Sequence, residues 1–262
     1  FKPDPRVFED THFQSDIVRR RVRELAYLNK GVKFVFTDER ARDADKRVFE
    51  YCYEGGIADF VKYLNTDKTA ITDPIVFEAM RDGLLVRVAI QYTDSYTENI
   101  YSFVNNVPTP EGGTHEIAFK TAVTKAFNDY ARRIGAIKEK EANLSGDDFR
   151  EGMTAVVYAG VKNPQFEGQT KGRLGNTEVK PVFEAVCLEK LSVYLDDLKH
   201  QEFAQRILEK AIKAAKVREA SRKAREIARA KNALEAAPLV GKLSSCTGTK
   251  AEQNELCIVE GD

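Results

Sequence analysis

The hydrophobic pattern of the first 66 residues predicts a helix, two strands and a second helix, in that order. Apolar residues recur at helical spacing between Ser15 and Gly31, with Ser15 expected as the N-cap and Gly31 at the C′ position. Two strand-like segments, VKFVFTDE and RVFEYCY, lie on either side of a charged, turn-like stretch. The segment EGGIADFVKYLN then predicts a short amphipathic helix. This order is typical of the end of an α/β unit.

Beyond residue 74 the pattern changes to strands and longer helices. The polar, turn-rich stretch 65–74 is therefore the expected domain boundary. Residues 84–92 alternate between apolar and polar side chains, which predicts a half-buried strand that is entered through a hairpin turn at Asp82 and Gly83. Later segments predict two more strands, a helix capped by Thr114 and a helix from about 178 to 195. The expected fold class is α+β, an α/β sandwich.

The last third of the chain differs from the rest. From residue 201 to about 237 it contains neither proline nor glycine, which predicts one helix of roughly 50 Å. Residues 204–231 carry ten basic and three acidic side chains. This pattern agrees both with a solvated strut and with a surface for DNA phosphates, whereas the lack of aromatic residues argues against stacking on single-stranded bases. Pro238 and Gly241 end the helix, and NELCIVEGD predicts the first strand of a further domain.

Composition and charge limit the class of protein. The 262 residues have no net charge, and 42% of them are hydrophobic, which suits one large or two ordinary domains. The four cysteines form no C-x-x-C pair, so neither a zinc site nor a disulfide framework is indicated, and a reduced, cytoplasmic protein is expected. No apolar run could cross a membrane, and no signal-peptide pattern is present. Because the chain starts at Phe1 and ends directly after an apolar run, a piece of a longer protein is expected.

The stretch GQTKG places Lys171 just before a glycine, after a predicted strand. The lysine ammonium is a compact charge that suits a terminal phosphate oxygen, and the Gln169 amide adds a neutral donor for the same phosphate or its attacking water. Gly168 and Gly172 would let the loop bend close to a ligand. A flexible loop tip in solvent is the other interpretation. Since the chain has no Walker A pattern, a phosphate bound here would be held mainly by residues outside it.

Three further polar features have both a structural and a chemical interpretation. His115 lies at the expected start of a helix and is interpreted as a satisfied structural histidine, because no nucleophile or triad partner is suggested nearby. Asp147, Asp148 and Arg150 are interpreted as capping and ion-pair residues before a strand. Glu260 in VEGD is either a turn residue or a Mg²⁺ ligand at the end of a buried strand, where further carboxylates would be needed.

Nine segments together resemble the ATP-hydrolysing subunits of bacterial type IIA DNA topoisomerases. The segments are RRRVRELAYLNKGV, YEGGI, ENIYSFVNN, EGGTHEIAF, GDDFREG, PQFEGQTKGRLGN, REASRKARE, GKLSSC and LCIVEGD. They follow the family's order over essentially the whole chain, which makes the resemblance very specific. NPQFEGQTK followed by LGNTEV is more similar to the gyrase B branch than to the corresponding topoisomerase IV branch. Val240, Ser244 and Ser245 depart from the family's pattern at the last junction.

The resemblance implies three regions and a set of partners. Residues 1–66 would be the C-terminal part of a GHKL ATP-binding domain. Residues 67–235 would be a transducer domain, similar to the second domain of ribosomal protein S5, with the long basic helix. Residues 236–262 would be a linker and the beginning of a TOPRIM domain. The full-length protein would use ATP and Mg²⁺, bind double-stranded DNA, form an A2B2 heterotetramer with the gyrase A protein and dimerise on binding ATP, whereas the isolated segment is expected to be inactive.

The resemblance also implies roles for individual residues. Lys171 would contact the γ-phosphate of ATP with Gln169 beside it, and Glu260 would bind Mg²⁺ in a site that the chain leaves incomplete. Five basic residues would face duplex phosphates inside a cavity between two subunits: Lys120, Lys125, Arg222, Lys223 and Arg225. A non-catalytic module that binds nucleic acid or a protein is the alternative function.

Overall fold

A computed structural model describes residues 2–41, 47–138, 140–235, 250, 252 and 255. The predicted helix–strand–strand–helix order is confirmed. Its elements are α1 (Ser15–Leu28), β1 (Phe34–Thr37), β2 (Val48–Tyr51) and α2 (Ile57–Leu64). The two strands pair antiparallel in a sheet of their own. Tyr27 of α1 stacks on Phe60 of α2 with ring centroids 4.9 Å apart, so the two helices share an aromatic core.

Both predicted ends of α1 are wrong. Ser15 is the first helical residue rather than the N-cap, and its hydroxyl hydrogen-bonds to Asp38 instead. The helix ends at Asn29, whose side-chain amide and backbone N–H donate to the Leu25 carbonyl at 2.7 and 3.0 Å. Gly31 has a φ of +75° but lies beyond this cap. The Asn29 side chain thus satisfies a carbonyl at the end of the helix, which a glycine turn was expected to do.

A five-stranded sheet forms the core of the compact unit made by residues 1–215. Its strands are β3 (Ile75–Arg81), β4 (Leu84–Tyr92), β5 (Asn99–Val104), β6 (Val107–Pro108) and β7 (Met153–Gly160). Their spatial order is β3-β4-β7-β5-β6, and only β5 and β7 run parallel. The predicted hairpin turn between β3 and β4 is confirmed, since Asp82 and Gly83 have φ values of 51° and 75°, as a type I′ turn requires.

Helices cover both faces of this sheet. α3 (Thr114–Arg133) and α5 (Val179–Asp196) pack against each other and against one face, and α2 packs against the other. A short helix, α4 (Gly146–Arg150), packs on α3. Gly113 occupies the N-cap of α3, so Thr114 is the first helical residue and not the expected cap.

Burial on two faces corrects the prediction for β4. On one face its apolar residues meet Phe119 and Phe127 of α3 and Phe183 of α5, none of which is exposed. On the other face α2 covers the second half of the strand, so Ala89 and Gln91 are buried as well. The strand is therefore half-buried only at its start.

The polar stretch that was expected to be a domain boundary is bonded to the sheet. The Asn65 amide donates to Gln91 Oε1 at 3.0 Å and accepts from Thr154 Oγ1 at 2.7 Å. The Tyr92 backbone N–H donates to Thr72 Oγ1 at 3.2 Å. Hydrogen bonds to buried strand residues hold this stretch in place, and the boundary itself stays a prediction.

The chain between β7 and α5 contains a small hairpin. β8 (Phe166–Glu167) pairs antiparallel with β9 (Arg173–Leu174), and the intervening residues 168–172 form its tip. Leu174 also forms an isolated bridge with Gly113, at the start of α3.

The last helix, α6, extends from Gln201 to Glu235. Four of its buried residues lie at helical spacing and join the core of the first unit: Ala204, Ile207, Leu208 and Ala211. Lys210 Nζ donates to the carbonyls of Thr93 and Ser95, both at 2.6 Å. In residues 216–229, here called the basic segment, every side chain is exposed. No helix in the described part of the chain is long and apolar enough to cross a membrane.

Candidate functional site

The tip of the β8–β9 hairpin presents Lys171 to solvent. Gln169, Thr170 and Lys171 are all exposed. Gly168 has a φ of +74°, and Lys171 has a φ of +56°, which is uncommon for a residue with a side chain. The Lys171 ammonium lies 5.9 Å from the centroid of the Phe166 ring, within range of a weak cation–π contact. The glycine-flanked lysine is thus at a loop tip with a defined backbone turn.

The second strand of the hairpin is bonded to the start of α3. The Glu111 N–H donates to the Gly172 carbonyl at 3.0 Å, and the Leu174 N–H donates to the Gly112 carbonyl at 3.2 Å. Gly113 has a φ of +137°, and a Cβ on it would lie 2.5 Å from the Leu174 nitrogen. The close approach of the two backbones therefore requires glycine at this position.

The first strand and the end of the hairpin are joined by Asn176. This side chain is 1% exposed, and its Oδ1 accepts from the Gln165 N–H at 2.6 Å. Its Nδ2 donates to the Asn163 carbonyl at 3.2 Å and to Glu178 Oε1 at 2.7 Å. Asn176 is not among the residues predicted from the sequence, although an asparagine in a Gly-rich turn before a helix is a known signal for local side-chain bonds to the backbone.

These contacts determine what the hairpin can do chemically. A cation and an amide at an exposed tip can bind one anionic oxygen, but they cannot enclose a nucleotide. Among the described residues no group of three or more His, Cys, Asp or Glu side chains could hold a metal ion. Glu260, the predicted Mg²⁺ ligand, lies outside the described residues.

The two lysines predicted on α3 differ in their surroundings. Lys120 Nζ lies 3.0 Å from Glu116 and 3.1 Å from Glu98, and the same Glu98 also accepts from Arg150 Nε at 3.1 Å. Burial lowers the pKa of Lys120, but the bonds to Glu116 and Glu98 more than offset this, so the pKa is raised. Lys125 is exposed and has no ion pair with any described residue. Its charge is the freer of the two.

The basic segment of α6 has an excess of positive charge. It contains six basic and two acidic residues. Arg222 lies 3.5 Å from Glu226, and Lys223 lies 2.9 Å from Glu219, as exposed pairs one helical turn apart. No ion pair of Arg225 is found within the described ranges. Exposed pairs of this kind are weak because water screens them, so a phosphate can replace either glutamate.

The remaining sequence candidates are structural. His115 is fully buried, and burial lowers its pKa to about 4, so it is neutral at pH 7. Its Nε2 lies 3.4 Å from Thr109 Oγ1, while its buried Nδ1 has no partner among the described residues, so the expectation of a satisfied histidine is wrong for one nitrogen. The capping prediction is confirmed, since Asp148 and Ser145 form a capping box. The ion-pair prediction is also confirmed, because Arg150 pairs with Asp147 at 2.5 Å.

Comparison with known proteins identifies the family. The DNA gyrase B family model matches residues 56–227, about two thirds of the chain. The chain belongs to the DNA gyrase B family. The match to that family includes the five-stranded sheet, the Lys171 hairpin and most of α6.

Individual gyrase B relatives agree with this assignment. The DNA gyrase B protein of Clostridium acetobutylicum is 49% identical over the whole of this chain, and that of Streptococcus pneumoniae is 47% identical. The chain spans 40% of the length of each of these relatives. Among solved structures, the ATPase domain of Thermus thermophilus gyrase B in complex with an aminocoumarin is 38% identical, with a TM-score of 0.73 over 87% of this chain and 60% of that one.

Proposed function

We propose that this chain is part of the ATP-hydrolysing subunit of a bacterial DNA gyrase, a type IIA topoisomerase that changes DNA supercoiling by double-strand passage. In this proposal the chain couples ATP binding and hydrolysis to the DNA gate. The main observation behind this proposal is that Lys171 is exposed at the tip of a hairpin whose base is hydrogen-bonded to the rest of the domain, in a chain of the gyrase B family. The relatives named as gyrase B proteins support gyrase over topoisomerase IV, whose Francisella tularensis ATP-binding domain is 22% identical and indicates the fold alone.

The proposed division of labour follows the three regions expected from the sequence. Residues 1–66 belong to the end of the GHKL ATP-binding domain, residues 67–235 to the transducer, and residues 236–262 to a linker and the start of the TOPRIM domain. ATP would meet this chain at Lys171 and Gln169, and Mg²⁺ would meet it at Glu260. The bound nucleotide supplies the phosphate that is transferred to water.

Lys171 acts in this mechanism as the sensor of the γ-phosphate. Its ammonium stabilises negative charge on a terminal phosphate oxygen, and Gln169 donates a hydrogen bond to the phosphate or its attacking water. Because Gly172 and Leu174 are bonded to the start of α3, a hairpin drawn toward a phosphate would displace α3 with it. The displacement would reach α6 through the sheet and the residues directly after β4, where Lys210 bonds to the carbonyls of Thr93 and Ser95.

Duplex DNA, the gyrase A protein and a second copy of this polypeptide are the proposed partners. The exposed basic segment and Lys125 support a DNA contact, since the phosphates of a duplex bind clustered positive charge and release counterions. The same basic segment would also suit a non-catalytic module that binds nucleic acid, and this is the second candidate function for the chain on its own.

The decisive experiment replaces Lys171 by alanine in the full-length protein, in complex with its partner subunit. Loss of a group that stabilises transition-state charge typically costs about a hundredfold to a thousandfold in kcat. We expect such a loss in ATP turnover and in supercoiling. The matched control is Lys162→Ala, an exposed lysine near the hairpin that has no role in the proposal. Unchanged ATP turnover and supercoiling in Lys171→Ala would exclude the sensor role.

A further inference from the structure

The Lys171 hairpin is too small to fix its own geometry. It has only two residue pairs, Phe166 with Leu174 and Glu167 with Arg173. Even longer two-stranded hairpins are at best marginally stable alone in water. The direction in which the tip presents Lys171 must therefore come from the contacts that hold the base of the hairpin.

Two sets of contacts hold that base, and they differ in kind. On the side of α3 the bonds of Gly172 and Leu174 are made by backbone groups only. On the side of α5 the Gly175 N–H donates to the Gln165 carbonyl at 2.8 Å, and every side-chain hydrogen bond passes through one buried amide, that of Asn176. Leu174 of the hairpin is also buried in the core, so the Asn176 amide is the main polar side-chain determinant of where the hairpin leaves the domain.

The Asn176 amide ties three separate positions of the chain together. Through Gln165 and Asn163 it holds the chain that enters β8, and through Glu178 it holds the chain that enters α5. The bond from Asn176 lowers the pKa of Glu178, so that carboxyl stays ionised and accepts a charge-assisted bond. Only a group that both accepts and donates at these positions can make all three bonds.

We propose that Asn176 is the positioning residue for Lys171: its amide fixes the base of the hairpin so that the lysine reaches the terminal phosphate of a nucleoside triphosphate. This inference rests on the proposed function of Lys171. Asn176 itself touches neither the phosphate nor the reacting atoms, and it acts through the geometry of the β8–β9 hairpin.

The test is a double-mutant cycle on ATP turnover in the full-length protein with its partner subunit. Asn176→Ala should lower kcat/KM for ATP roughly ten-fold to a hundredfold, because a misplacement near 1 Å costs that much. In a Lys171→Ala background the same change should have no further effect, since the residue that it positions is gone. Thr177→Ala, which removes an exposed neighbouring side chain, is the matched control.

The outcomes of the cycle separate the two proposals. Normal turnover in Lys171→Ala would overturn the sensor role and this inference with it. If Lys171→Ala reduces turnover, two results would overturn the positioning role alone. Either Asn176→Ala has no effect, or it reduces turnover by the same factor with and without Lys171. An asparagine with a purely structural role would reduce turnover by the same factor in both backgrounds, because damage to the fold is independent of the loss of Lys171.

A second variant keeps the inference testable if Asn176→Ala does not fold. Asn176→Asp keeps the size and the acceptor, but it places a carboxylate where the amide lay 2.7 Å from Glu178. The negative charge of Glu178 raises the pKa of the new carboxyl, and protonation of that carboxyl restores a donor as the pH falls. Turnover relative to the unmodified protein should therefore rise as the pH is lowered. A ratio that stays flat as the pH falls would contradict the positioning role.

Discussion

Replacing Gly113 by alanine should separate the Lys171 hairpin from the start of α3. Gly113 has φ 137° and ψ −167°, a region of the backbone map that only glycine occupies readily. A Cβ at this position would lie 2.5 Å from the Leu174 nitrogen and 2.6 Å from its carbonyl oxygen. Both neighbours are backbone atoms, so no side-chain rotation can relieve the contact. Either α3 or β9 has to move.

The expected cost has two parts. Holding a residue with a side chain in a sparsely populated backbone region costs about 1–3 kcal/mol. Overpacking of a well-packed site costs about another 1–3 kcal/mol. A loss of about 4 kcal/mol in the free energy of unfolding is therefore expected. For a domain of this size each kcal/mol shifts Tm by about 2–4 °C, which gives a decrease of about 8–16 °C.

Gly135→Ala is the matched control for the backbone part. Gly135 has a φ of +74°, and no atom lies within 4 Å of the Cβ that would be added. This change should cost about 1–2 kcal/mol, because it forces a side chain into the left-handed region without a clash. Thermal unfolding of the two variants, followed by circular dichroism, gives the comparison. Equal decreases in Tm would refute the view that the contact with Leu174 imposes glycine at 113.

Three further predictions concern charge. Burial lowers the pKa of His115 to about 4, so between about pH 6.5 and pH 4 this side chain is protonated in the unfolded chain but not in the folded one. The free energy of unfolding should therefore decrease by at most about 3 kcal/mol as the pH falls from about 6.5 to about 4. Chemical unfolding should show a shallower fall in His115→Leu but not in the exposed control His12→Gln, and equal pH slopes would contradict this. Neutralising the three proposed DNA contacts of the basic segment should lower the slope of log affinity against log salt concentration for duplex binding by about 2–3. Neutralising three exposed lysines among residues 1–66 is the control and should leave this slope unchanged. Lys125→Gln should lower the slope by about 1, and Lys120→Gln by much less.

The sequence predicts elements well where one face of an element is buried. The alternation in β4 and the helical spacing in α3 follow directly from contact with a single core, and both elements have the expected type. The errors occur where a second neighbour acts. Ala89 and Gln91 are buried by α2, which comes earlier in the chain, and no local pattern records that contact.

The candidate site shows the same limit more sharply. The glycines around Lys171 are visible in the sequence and indicate a loop tip, and the structure has that tip. The need for glycine at 113 arises from Leu174, which is distant in sequence. Asn176 is equally inconspicuous, because its partners are two backbone groups and one carboxylate that come together only when the hairpin folds. Supports for a functional loop are therefore found from contacts rather than from motifs.

Charge counted along a sequence also differs from charge that a ligand can use. Lys120 is partly buried and bonded to two carboxylates. A phosphate that binds Lys120 must displace both carboxylates and leave them without this positive partner, which is costly at a partly buried site. Lys125 meets no such competition from the described residues, and the paired cations of the basic segment compete only with exposed glutamates one turn away. The proposed contact with DNA should therefore concentrate on Lys125 and on the basic segment around Arg225. Lys120 then serves chiefly to hold the β4–β5 connection, which carries Glu98, against α3.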